Sequence, residues 1–160
     1  MAQRPILGEF MYEIDSLYVS TEMILSRRFR EPPLDGLLLE ACLLHFRVVW
    51  DFFYRSKQQP TDVVVRDFVP TWNITEAPAR LYIIRKWLNL MLAHLTANRV
   101  DPACKAGEIS EEDITLIREH TKALFGAFND ALAQDLRDAL VNPLGRKFTR
   151  YETLRNPSER

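Results

Sequence analysis

The sequence predicts an all-α protein: a four-helix bundle with a long, partly structured insertion between its second and third helices. Three observations predict it. Apolar residues recur at three- and four-residue steps over several long segments, the spacing of one helix face. Glycine is scarce, 5 in 160 residues, which disfavours a fold of short strands and turns. The breaks between periodic segments carry proline, at Pro32-Pro33, Pro60, Pro70 and Pro102. A chain of this length is one domain with room for a proper core. That domain is placed at residues 1–145, followed by a basic, polar tail, 146–160, either disordered or packed through Phe148 and Tyr151.

The first helix is expected from about Pro5 to Phe29, with Phe10, Ile14, Leu17, Thr21, Ile24 and Leu25 on one face. Pro5 suits a first turn, where its missing N–H has no partner to lose. Arg27, Arg28 and Arg30 favour the negative end of the helix dipole. The second helix, Leu34 to Arg55, is apolar over most of its circumference. Leu37, Leu38, Ala41, Leu44, His45, Val48, Val49 and Phe52 share one broad face. Cys42, Phe46, Trp50 and Phe53 extend it, and only Glu40, Arg47, Asp51 and Tyr54 form a polar line. Such a helix is central, covered by other helices or by a second chain.

Between Ser56 and Ala77 the chain is irregular. Thr61-Asp62 is a candidate cap for one short turn, and Val63-Val64-Val65 could equally be extended. Val65, Phe68, Val69 and Trp72 are costly to leave wet, so the segment is expected to pack down like a lid. The third helix is expected from Pro78 to about Val100, with Leu81, Ile84, Leu88, Met91, Leu92 and Leu95 as its main face. The fourth opens at Ser110, whose spacing to Asp113 is close to a capping box, and carries Ile114, Ile117, Thr121, Leu124, Phe125, Phe128 and Leu132 towards Leu140.

Composition excludes some function classes. With 21 basic and 22 acidic residues the chain has no global field for nucleic acid. Cys42 and Cys104 form no C-x-x-C pair, so neither a zinc site nor a disulfide framework follows. The early Glu9, Glu13 and Asp15 argue against a secretory leader, and the apolar run Leu37–Trp50 is too short to span a bilayer. A reduced, cytoplasmic setting with no membrane partner is expected. No dinucleotide, phosphate-loop, serine-hydrolase or zinc-protease motif is present, so no cofactor is expected.

The residues that could carry chemistry are few. Arg47 and Asp51 stand four apart on the second helix and can form an ion pair or border a polar pocket. His45, His94 and His120 lie on three different helices. Each reads as a core or boundary histidine; together they could converge on a metal, although no helix carries two ligands at metal spacing.

The segments Leu44-His45-Phe46-Arg47-Val48-Val49-Trp50-Asp51-Phe52-Phe53 and Leu92-Ala93-His94-Leu95-Thr96, with Asp62 and Asp67-Phe68 between them, resemble a family of uncharacterised bacterial helical proteins. More distantly, the layout over about residues 35 to 100 is similar to the HEPN superfamily of four-helix domains, many of them RNases. The HEPN nuclease motif itself is not matched: eight residues separate Arg85 from His94, more than the family's Arg-to-His spacing. The resemblance implies His94 as a general base towards a ribose hydroxyl, with Arg47 or Arg85 facing the phosphate.

Three readings follow. The first is a non-enzymatic helical domain acting through self-assembly, as a homodimer, or through another protein. The second is a HEPN-like RNA-binding or RNA-processing protein, with His94, Arg47 and Asp51 as candidate catalytic residues. The third is a bundle holding a metal or small ligand in its core. Whether the chain is an enzyme is left open between them.

Overall fold

The computed structural model describes residues 3–27, 31, 34–73, 76–91 and 109–138. Among these residues the fold is all-helical. Helix α1 is Gln3–Leu25, α2 Leu34–Tyr54, α3 Ala79–Met91 and α4 Glu111–Ala131, with a 3-10 turn at Val65–Asp67 between α2 and α3. The expected continuation of the third helix to Val100, the loop after it with Cys104, and the tail 146–160 lie outside the described residues. So do Arg28 and Arg30. Among the described residues no helix is long and apolar enough to cross a membrane.

Helix α2 packs against α1, α3 and α4, and α1 also packs against α4. The core between them is aromatic. Phe128 of α4 lies at its centre, with ring centroids 5.5–6.3 Å from Phe10, Phe52, Phe53, Phe68 and Trp72. All five contacts are edge-to-face, the arrangement that sets a ring's positive edge on a neighbour's negative face. Phe10 of α1 stacks on Phe52 of α2.

The ends of the helices follow local chemistry. Helix α1 stops where Arg27 takes the left-handed conformation (φ 56°), a position glycine usually fills. The Arg27 N–H donates to the Ile24 carbonyl (3.0 Å). Helix α4 begins with a full capping box: the Asp113 N–H donates to Ser110 Oγ (3.2 Å) and the Ser110 N–H to Asp113 Oδ2 (3.0 Å). It stops early, at Leu132 (ψ 144°), and residues 134–138 form a further helical turn.

The segment after α2 contributes Val64, Val65, Phe68, Val69 and Trp72 to the buried interior. Its turns are not capped as the sequence suggested. Asp62 accepts from the upstream N–H groups of Gln58 (2.8 Å) and Gln59 (3.0 Å), closing the turn before it. Asp67 takes the capping role for the 3-10 turn, accepting from the Val64 N–H (3.0 Å) and pairing with Lys57 (2.8 Å).

Helix α2 is turned differently from its expected broad face. Cys42, Leu43, Phe46, Val49, Trp50, Phe52 and Phe53 are buried, so Val49 and Phe52 of the expected face do face the core. Leu37, Leu44 and Val48, expected on the core face, are exposed. A helix apolar nearly all round leaves this choice open, because periodicity alone cannot rank two apolar faces.

Candidate functional site

Two features of α2 stand out: a polar and aromatic cluster where it meets α3 and α4, and an apolar stripe on its outer side.

The cluster is built from residues one turn apart. Asp51 sits on the polar line of α2 and receives Arg85 of α3, with Nη2 at 2.6 Å and Nε at 3.2 Å from the same carboxylate oxygen. Its other oxygen faces Arg55, four residues on, at 3.6 Å. The Arg85 side chain is only 12% exposed and that of Asp51 24%. Arg85 Nη1 is buried with no hydrogen-bond partner among the described residues. The Arg47–Asp51 pair that the spacing allowed is therefore replaced by a pair across helices. Arg47 has no ion-pair partner among the described residues, and neither has Glu40.

Beside this pair, Trp50 stacks on Tyr54 (centroids 4.4 Å apart) and meets Tyr82 of α3 edge-on (4.9 Å). Tyr54 Oη lies 2.7 Å from Nε2 of His120 on α4. Burial, and then the proximity of Tyr82, push the Tyr54 phenol up to about 12, while burial lowers the His120 imidazole. The imidazole is thus neutral near pH 7, and its Nε2 is engaged with the Tyr54 hydroxyl, so a general-base role for that nitrogen competes with this contact.

Of the other histidines, His45 is also engaged. His45 Nδ1 lies 2.7 Å from Glu13 of α1, under the edge of Tyr12. His45 and His120 thus have separate partners, and His94 lies outside the described residues. Among those residues no group of histidine, cysteine and carboxylate side chains could hold a metal. Cys42 is fully buried, and burial pushes its thiol up to about 12, so it is inert at neutral pH. An open groove of about 400 Å³ lies beside Ile24, Leu39 and Ile114; of its charged side chains, Arg27 and Glu111 pair with each other at 2.8 Å, and Asp35 accepts from the Gly36 N–H at 2.7 Å.

The second feature is not visible from burial habits. Leu34, Leu37, Ala41, Leu44 and Val48 follow one another at steps of three, four, three and four residues. That is the spacing of a coiled-coil seam, a and d of two heptads. Leu34 is 53%, Leu37 57%, Leu44 44% and Val48 45% exposed. Tyr12 and Glu13 of α1 border the stripe through His45, and Glu40 and Arg47 run along its other side. The signal was present in the sequence, but the uniform apolarity of α2 hid it.

Among the described residues these features define an all-helical protein in which Asp51, Arg85, Tyr54, His45 and His120 have internal partners and the central helix leaves an apolar stripe outside. Comparison with protein-family models, with curated proteins and with solved structures gives no match.

Proposed function

We propose that this chain is a non-enzymatic assembly module: a four-helix bundle, with its 56–77 segment as a packed insertion, that associates through the outer seam of α2. The exposed heptad run from Leu34 to Val48 carries this reading. It is about 21 Å long, four turns of helix, and four of its five side chains stand out in water. A patch of this kind on a central helix marks an association surface, because covering it removes apolar area from water.

The internal polar residues support the same reading. A phosphate-facing role for Arg85 would have to compete with Asp51, which already binds it twice. A base role for His120 would have to displace the Tyr54 hydroxyl.

Sedimentation velocity tests the proposal. The wild-type chain should associate in the micromolar range, and Leu44→Asp should sediment as a monomer with unchanged helical circular dichroism. Leu44 is exposed, so the substitution leaves the fold of the single chain in place. Association that survives Leu44→Asp, or no association up to about 100 μM, would refute the seam.

A further inference from the structure

We infer that the occupant of the α2 seam is a second copy of the same helix, running antiparallel, with Glu40 of each copy set against Arg47 of the other. This rests on the seam being an association surface and adds its partner and register.

The argument begins with the heptad. With Leu34, Ala41 and Val48 at a, and Leu37 and Leu44 at d, Glu40 and Arg47 both fall at g, while Leu38 and His45 fall at e. An antiparallel pair of helices sets a against d. Ala41 then lies opposite Leu44 of the second copy, and Leu37 opposite Val48. Leu37 and Leu44 are large and Ala41 and Val48 smaller, so each of these four central layers joins a long side chain to a short one, while Leu34 at either end lies opposite Asp51 of the second copy, where the apolar run stops.

In an antiparallel pair g faces g across one flank of the seam, and e faces e across the other. The same register that matches the apolar layers puts Glu40 against Arg47, and the twofold axis repeats the contact. Opposite charges therefore meet twice on one flank. Leu38 and His45, both half-buried, meet on the other, beside the half-exposed Tyr12. Glu40 and Arg47 have no ion-pair partner within the described residues, so both are available for this contact.

A parallel pair would set g against e. Glu40 would then meet His45, which Glu13 already holds at 2.7 Å. Arg47 would meet Phe52, which is buried in its own chain. Charge at the flanks selects orientation in helix pairs, and here it selects the antiparallel one. The seam ends where the heptad meets Asp51 at the next d position. That residue is tied to Arg85 and closes the apolar run.

Charge exchange tests orientation and register together. Glu40→Arg alone sets arginine against arginine twice, and Arg47→Glu alone sets glutamate against glutamate twice. Each should weaken the dimer roughly ten- to thirtyfold in dissociation constant. The double variant, Glu40→Arg with Arg47→Glu, should return to within about threefold of wild type. Positions 40 and 47 are two turns apart on one helix and do not touch, so the rescue reports a contact between copies. Added salt supplies a second measurement. It should weaken the wild-type dimer and strengthen both single variants, because it screens attraction in one case and repulsion in the other.

Single variants that dimerise like wild type, or a double variant no better than the singles, would overturn the antiparallel register. If Leu44→Asp still gives monomers in that case, the seam stands and only its occupant's orientation is wrong. If Leu44→Asp dimerises too, the seam itself fails.

Discussion

At Asp51, two cations share one carboxylate, and their environments differ. Arg85 is nearly buried and has one acidic partner, whereas Arg55 is half exposed and has water. Removing either member of the Arg85–Asp51 pair therefore has unequal effects. Asp51→Ala strands a buried guanidinium whose Nη1 is already without a hydrogen bond, and should cost about 2–4 kcal/mol. Arg85→Ala leaves Asp51 beside Arg55 and partly in water, and should cost about 1–2 kcal/mol. Urea midpoints of the two variants check the order; equal losses would mean that Asp51 does not anchor Arg85. His120 gives a second prediction, in pH. Burial holds its imidazole below the ordinary 6.5. Between the folded value and 6.5 the unfolded chain binds a proton that the folded chain does not. The contribution is fully present above pH 6.5 and is lost as pH falls through that window. His120→Gln should flatten the slope of stability as pH falls below 6.5, relative to wild type. Parallel slopes for the two chains would show that the Tyr54–His120 contact does not discriminate between protonation states.

Helix α4 shows how an element is bounded partly by near neighbours and partly by distant ones. Its start is local: Ser110 and Asp113 cap each other, and Asp113 also accepts from Nη2 and Nε of Arg80 at 2.6 and 2.7 Å. The Arg80 contact first, then the Ser110 N–H, hold the Asp113 carboxyl below the usual carboxylate range. Asp113→Ala should cost about 1–2 kcal/mol through the cap alone, and Asp113→Asn less, because an amide oxygen can still accept from Ser110. Thermal melts of the two variants separate these roles. The Ser110–Asp113 spacing was legible in the sequence because the partners are three residues apart. The end of α4 was not. No glycine or proline marks Leu132; Arg137 instead donates Nη2 to the freed carbonyls of Asp130 (2.8 Å) and Leu132 (3.1 Å). The same contrast holds at the candidate site. Arg47 and Asp51 were singled out by spacing on one helix, but Arg85, which binds Asp51, comes from another. Likewise nothing local in the sequence joins Tyr54 to His120. Apolar pattern says that a face is buried; where two faces are equally apolar, as on α2, the packing of α1, α3 and α4 decides which one remains outside.

At the scale of the whole molecule, Val64, Val65, Phe68, Val69 and Trp72, from the segment between α2 and α3, belong to the core and not to a separate layer. Trp72 reaches both Phe53 of α2 (centroids 5.6 Å apart) and Phe128 of α4 (6.3 Å), and Phe68 reaches Phe52 and Phe128. Phe128 is itself fully buried among rings from α1, α2 and this segment. One ring thus joins elements that are distant in the chain, so the core cannot lose its irregular part and keep the rest. Trp72→Ala should therefore lower global stability by about 3–5 kcal/mol, the range for deleting a large buried aromatic side chain. The loss should appear in the helices as well as in the segment. Helical circular dichroism and the fluorescence of the remaining tryptophans should shift to lower urea together, with coincident midpoints. A local role for the segment makes a different prediction: the helical transition would stay at its wild-type midpoint while the segment alone became sensitive to protease. The aromatic geometry favours the first outcome, because a cavity at Trp72 removes contacts from Phe53 and Phe128, which hold α2 and α4 together. The same coupling keeps the outer stripe of α2 in register: a core that fixes Phe46, Val49 and Phe53 inward fixes Leu37, Leu44 and Val48 outward.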